Sequence, residues 1–269
     1  MTALAQKVAA LTRVPEERLE RLSGGSLSEV LLARRADGRM TVAKGGAAVP
    51  TEAQMLRAIA GAGVPAPAVE GEHENVLLLE YIPNDRVFSA AAWGDVGRAL
   101  RRLHGHVEER YGWPVDYRIG TIELDNRQGR DWPAFWGTQR LAGTASMLDR
   151  PWRERVDGLV VRLRDILPAH PPGAFLHGDL WGGNILVSEG RLAALIDPAC
   201  YHGDAEVDLA MLTLFDTPPD AFWDAYGALE PGWQERRHAY QLFPALLHLR
   251  VFGANYAGMV DRLLSALGA

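Results

Sequence analysis

Two hydrophobic periods divide this chain. Over residues 3–12, ALAQKVAALT places apolar side chains at helical spacing, and Pro15 with the Glu-rich turn behind it predicts a second, short helix. The period then shortens. EVLLARRADGRMTVAK has strand-like runs at 29–34 and 40–44 around the turn signal Ala36-Asp37-Gly38, which predicts a β-hairpin. A helix is predicted over 51–62, with Thr51 as its N-cap and Gly61 and Gly63 near its end. VLLLEYI at 76–82 predicts a short apolar strand that stops at the breaker Pro83-Asn84-Asp85. Beyond it helical periodicity dominates, at 90–110, 132–149, 151–167, 205–215, 219–228 and 234–267. One hairpin interrupts it, with ILVSEG and RLAALIDP flanking the turn at Glu189-Gly190. The predicted fold class is α+β in two lobes: a small β-rich unit over 1–82 and a larger, mainly helical unit over 83–269.

Composition narrows the partners. A hydrophobic fraction of 48% in 269 residues is ample for buried cores. A formal charge of −6 without a dense Lys/Arg run argues against nucleic acid or an anionic membrane as the main partner. No apolar run approaches the roughly 20 residues of a membrane-spanning helix, and the N-terminal stretch lacks the continuous apolar core of a signal peptide. The single cysteine, Cys200, excludes an intrachain disulfide and a cysteine metal cluster, which fits a reducing cytosol, so a cytoplasmic protein is expected. Only Lys7 and Lys44 are lysines among 28 basic residues, which makes an interior lysine conspicuous.

The richest local signal is FLHGDLWGGNILV at 175–187, which precedes the predicted hairpin and therefore lies on a loop. Asp179 is an acid, Asn184 an amide five residues later, and glycines at 182 and 183 let the loop turn back between them. Asp197 follows the hairpin. Either Asp179 or Asn184 alone suits an ordinary turn cap; the full set suits nucleotide-dependent phosphoryl transfer. A hydroxyl nucleophile needs a carboxylate to orient it and take its proton, here Asp179, while ATP needs Mg²⁺ held by oxygen ligands, here Asn184 and Asp197. Lys44 ends the strand MTVAK and would meet the phosphates, tethered by Glu52 in the helix that follows. Singly, these are also a solvated strand end and a residue favoured by the helix dipole. Gly24, Gly25 and Ser26, within SGGS, could cover phosphates with backbone N–H groups. Glu80, Tyr81 and Ile82 would read adenine through their backbone at the lobe junction.

Further stretches point to a family. HGDLWGGN, IDPA at 196–199 and YHGDAEVDLAMLTLF at 201–215 resemble the fructosamine-3-kinase family, the ketosamine kinases of the protein-kinase-like and aminoglycoside-phosphotransferase group. IGT at 119–121, LDN at 124–126, DWPAFWGTQRL at 131–141 and HLRVFGANY at 248–256 extend the resemblance over about residues 22–256. It implies a protein-kinase-like fold, Asp179 as base, Asn184 and Asp197 as magnesium ligands, and Lys44 with Glu52 at the phosphates. It further implies that His177 braces the loop, that Asp208 holds its backbone, and that Trp181 forms part of the sugar pocket. The implied reaction moves the γ-phosphoryl of ATP to the 3-hydroxyl of a ketosamine, on a small molecule or a glycated protein, and the unstable product sheds its sugar. A monomer is expected. The chain departs from the family at YHGDAEVD, where His202 and the pair Asp204-Ala205 replace residues of a YYGHREVD pattern. Two alternatives stay open at this point. One is a small-molecule kinase of the aminoglycoside, choline or homoserine type; the other is a catalytically silent nucleotide-binding protein.

Overall fold

The computed structural model describes residues 2–22, 29–120 and 122–269. Gly24, Gly25 and Ser26 lie outside the described residues, as does Thr121 of the IGT stretch. Helix α1 (Ala3–Thr12) begins where Thr2 Oγ1 accepts a hydrogen bond from Ala5 N–H, and it ends at Arg13 in a left-handed conformation. The short helix expected after Pro15 is a single 3₁₀ turn, Glu16–Arg18. Strands β1 (Glu20–Arg21), β2 (Val30–Arg34) and β3 (Met40–Gly45) precede helix α2 (Val49–Gly61), and β4 (Val69–His73) and β5 (Val76–Glu80) follow it. They form one antiparallel sheet in the order β1-β2-β3-β5-β4.

Strand alternation gives this sheet two apolar faces. Leu31, Ala33, Ala43, Val76 and Leu78 pack under α1 around Val8, while Val42, Leu77 and Leu79 pack against Val49, Ala53 and Leu56 of α2. Three expectations need correction. Thr51 does not cap α2: Ala48 precedes the first turn, and Pro50, whose fixed φ suits that turn, lies inside it. The strand predicted to 82 ends at Glu80. Strand β4, VEGEH, was not predicted because an edge strand needs no apolar alternation.

The remaining chain begins with α3 (Ala90–His104), β6 (Val107–Glu108) and the hairpin β7 (Tyr117–Ile119) with β8 (Ile122–Leu124). Next come α4 (Trp132–Phe135), a π-helical stretch over Trp136–Ala142, α5 (Gly143–Ala145) and α6 (Arg150–Ile166). After β9 (Gly173–Leu176), the hairpin β10 (Ile185–Ser188) with β11 (Arg191–Leu195), and β12 (Tyr201–Gly203), four helices finish the chain: α7 (Glu206–Phe215), α8 (Asp220–Tyr226), α9 (Trp233–Phe252) and α10 (Ala257–Ala266).

Several predicted helices are therefore shorter than their periodic runs. The run 90–110 stops at Gly105, and 132–149 is divided by the π stretch. The run 234–267 is two helices, because Gly253 adopts φ +80. The small sheet β12-β9-β6 was not anticipated at all; its strands are too short to show a period. No described helix is long and apolar enough to cross a membrane.

Helix α2 joins the two parts of the molecule. Its Val49, Ala53 and Leu56 face the sheet, while Met55 and Ile59 enter the large helical core. Backbone bonds reinforce the junction, with Leu195 N–H donating to Pro65 O at 2.8 Å and Asp85 N–H to Val187 O at 2.9 Å. The site between the parts is consequently held from both sides.

Candidate active site

Lys44 shares a strand face with Val42 and so points toward α2, whose first turn carries Glu52. Its Nζ donates to Glu52 Oε1 at 2.5 Å and to Asp197 Oδ1 at 2.8 Å. Lys44 and Glu52 are both buried. Burial opposes the lysine's charge, but the two carboxylates outweigh it and hold its pKa above the ordinary value. Burial also pushes the Glu52 carboxyl up while Lys44 pulls it back. The expected pairing of Lys44 with Glu52 is thus present, and Asp197 joins it from the far side of the fold.

Strand β9 is fully buried and delivers the loop that begins at His177. Gly178 has φ +80, and a Cβ there would stand 2.0 Å from Ala199 O, so only glycine fits. Asp208, wholly buried, accepts from His177 N–H at 2.7 Å and from Gly178 N–H at 2.9 Å, and it also meets His104 Nε2 at 3.1 Å. His177 Nε2 lies 3.0 Å from Ile196 O, and its Nδ1 accepts from Asp179 N–H at 3.3 Å. This assigns the Nε2–H tautomer, since a carbonyl oxygen can only accept. The imidazole therefore ties the loop bearing Asp179 to the segment bearing Asp197.

Asn184 Nδ2 donates to the Asp179 carbonyl at 2.8 Å and to its Oδ2 at 3.1 Å, closing the loop on itself. Ile196 N–H donates to Asn184 O at 3.0 Å, and Asp197 follows with φ +54, a conformation Asp tolerates better than most residues. Burial, then the neighbouring Asp197, pushes the Asp179 carboxyl up to about 7, against the hydrogen bond from Asn184. A carboxylate with that affinity for protons is suited to general-base work near neutral pH.

The metal expected here fits these donors. With its nitrogen committed to Asp179, the Asn184 amide keeps its oxygen as a donor for a metal, and Asn184 and Asp197 both line the cleft. Among the described residues no cluster of three His, Cys, Asp or Glu could hold an ion unaided. Two protein oxygens completed by phosphates are how Mg²⁺ is usually bound.

The glycines at 182 and 183 act by close approach. A Cβ on Gly183 would lie 2.3 Å from the Trp181 ring, and one on Gly182 would lie 2.5 Å from Asp216 Oδ1. Gly182 N–H also donates to Asp216 Oδ2 at 2.7 Å. The turn expected at these glycines is present as a 3₁₀ turn over Gly182–Asn184, with Asn184 N–H donating to Trp181 O at 2.9 Å, and the two glycines also let Trp181 fold back and the loop dock on Asp216 at the end of α7.

Lys44, Glu52, Asp179, Trp181, Asn184 and Asp197 all line one cleft of about 280 Å³. Tyr117 of β7 also lines it, and burial followed by the charges of Glu52, Asp197 and Asp179 pushes that phenol well above its ordinary value. Helix α9 supplies Phe243, Leu247, His248 and Phe252. Glu80, Tyr81 and Ile82 are not among its walls: Tyr81 N–H donates to Met40 O at 3.4 Å and the Ile82 carbonyl accepts from Asn84. Sequence reasoning missed Tyr117, His104, Asp216 and the α9 wall, although IGT and HLRVFGANY lay beside two of them. The departure at Asp204-Ala205 stands behind the loop, outside the cleft walls. Asp204 accepts from Tyr240 Oη at 2.7 Å, and Glu206 pairs with Arg236.

Comparison with known proteins agrees with this geometry. The sequence model of the fructosamine kinase family matches residues 4–268, somewhat more than the motifs alone suggested. The chain is 36% identical over 226 residues to the "probable ketoamine kinase" of Thermus thermophilus, covering 80% of each chain. A solved structure from Thermobifida fusca, assigned as a fructosamine-3-kinase, superposes with a TM-score of 0.85 at 28% identity, covering 98% of both chains. Amicoumacin kinase in complex with AMP-PNP and Ca²⁺ shares the fold at a TM-score of 0.62 and 16% identity, covering 97% of this chain and 91% of its own. The chain belongs to the fructosamine kinase family and has a protein-kinase-like fold.

Proposed function

We propose that this protein transfers the γ-phosphoryl group of ATP to the 3-hydroxyl of a ketosamine, and that the phosphorylated adduct then releases its amine. The single observation that carries the reading is the convergence of Asp179, Asn184, Asp197 and Lys44 on one cleft that also holds Trp181. Asp179 orients the acceptor hydroxyl and takes its proton as the oxygen–phosphorus bond forms and ADP leaves. Lys44, held by Glu52, binds phosphate oxygens. Asn184 and Asp197 would hold Mg²⁺, which would supply positive charge against the phosphates. Trp181 offers a flat face to the C–H surface of the sugar, while His177 and Asp208 keep the loop in place. Gly24, Gly25 and Ser26 cover the phosphates, and adenine enters where the proposed lobes 1–82 and 83–269 meet.

Every one of these groups comes from a single chain, which supports action as a monomer. The net negative charge and the lone buried thiol support a cytoplasmic enzyme acting on small molecules or glycated proteins rather than on nucleic acid or membranes. The test is a screen with ATP and Mg²⁺ across ribulosamine, fructosamine, erythrulosamine and an aminoglycoside. Turnover confined to the ketosamines is the expected result. Turnover of the aminoglycoside alone would transfer the chain to the antibiotic-kinase reading.

A further inference from the structure

The cleft runs past Asp179 into a wall with a different character. Met211 of α7 and Phe243, Leu247, His248, Val251 and Phe252 of α9 line it. Trp181 and Phe252 are 41% and 43% exposed, and among the described residues they are the only exposed Trp, Tyr or Phe side chains. Both open onto this one cleft. Their rings are joined through a continuous aromatic row: Trp181 to Phe215 at 6.3 Å, Phe215 to His248 at 4.8 Å, and His248 to Phe252 at 5.3 Å between centroids.

Charge is distributed the opposite way. The charged groups on the cleft lining are Lys44, Glu52, Asp179 and Asp197 at the phosphate end and Arg118 of β7, which reaches toward Glu123 at 3.8 Å. The α9 wall contributes no carboxylate. Its one titratable group, His248, bonds the Pro244 carbonyl through Nδ1, and burial holds its pKa below the ordinary value, which disfavours the charged ring. Asp216, just past the end of α7 and next to Phe215, accepts from the Gly182 N–H. An ammonium or a polyamine placed against this wall would lose water without gaining a counter-charge, whereas an aryl or alkyl group would cover exposed aromatic surface.

We infer that the α9 wall is a binding site for the substituent on the amine nitrogen of the acceptor, and that it selects ketosamines of apolar amines. The inference rests on the ketosamine reading above and deepens it. Trp181 faces the sugar, and Phe252 meets the group that the sugar modifies.

The experiment compares kcat/KM for three adducts of one sugar, made from methylamine, benzylamine and the ε-amine of free lysine. Wild type is expected to prefer the benzyl adduct over the lysyl adduct by about ten-fold or more, and Phe252→Ala to shrink that ratio to about two-fold or less. Phe252→Leu, which restores an apolar side chain, is expected to recover most of the preference. Phe252 is half exposed at the end of α9, and melting temperatures verify that both variants fold. A lysyl adduct used as well as the benzyl adduct overturns the inference, and so does a benzyl preference that survives Phe252→Ala. If the methylamine adduct is also silent while ATP still binds, the ketosamine reading itself fails, a result distinct from loss of preference among active adducts.

Discussion

The two ends of the cleft are built on opposite principles. At the proposed phosphate end, Lys44, Glu52 and Asp197 form a chain of charges in which each group depends on its neighbour. At the proposed acceptor end, Trp181 and Phe252 stand half exposed. Removing one partner of a buried ion pair strands the other charge, typically at about 3–5 kcal/mol, whereas trimming an exposed aromatic mainly returns surface to water. The chemistry of phosphoryl transfer is the same for every acceptor, so its groups can be locked. A wall that takes the acceptor can change without disturbing them.

The sharpest way to break this division is Asp179→Asn. Turnover is expected to fall by about 10²–10⁴-fold with ATP affinity largely kept, measured by steady-state kinetics and by calorimetry. An equal loss of ATP affinity would show that the two ends are not separable. Next, Lys44→Met leaves Glu52 without its cation and is expected to cost about 3–5 kcal/mol in denaturant unfolding. Under 1 kcal/mol by the same measurement would mean that the charge chain contributes little to the fold.

Trp181→Ala is expected to reduce kcat/KM for the ketosamine by about ten-fold while the KM for ATP stays put. A selective rise in the KM for ATP would move Trp181 to the other end of the cleft. The smallest effect concerns protons. The Asp179 carboxyl is raised to about 7 by burial and by Asp197. A cation bound at Asp197 lowers it, because it cancels a negative charge that favoured protonation. Mg²⁺ binding at pH 7 is therefore expected to release up to about half a proton, falling toward none by about pH 9, where Asp179 is already ionised. Calorimetry in two buffers of different ionisation enthalpy reads this directly; identical heats would contradict the coupling.

Much of the phosphate end was legible because its signals are local. Asp179 and Asn184 are five residues apart on one loop, and Lys44 ends a strand whose alternation shows which face it takes. The supports were not legible. His104 reads as an ordinary polar position of an amphipathic helix, and only folding brings it to Asp208, 104 residues away. Asp216 reads as the polar end of α7, and nothing local shows that Gly182 docks on it across 34 residues. Tyr117 belongs to a three-residue strand, too short to declare a period. Gly178, Gly182 and Gly183 look alike in sequence. Structure separates the first, needed for a positive φ and a close carbonyl, from the other two, needed for contact with Trp181 and Asp216.

By itself the sequence determined which groups are present, their order, and the strand, loop and helix that carry each, because alternation and turn chemistry act over a few residues. Tertiary structure alone decided that Lys44 meets Asp197 across 153 residues, that the Asp179 carboxyl is pushed up to about 7, and that α9 lines the cleft with an apolar wall. Those properties depend on distance through space and on exclusion of water, neither of which a linear pattern records.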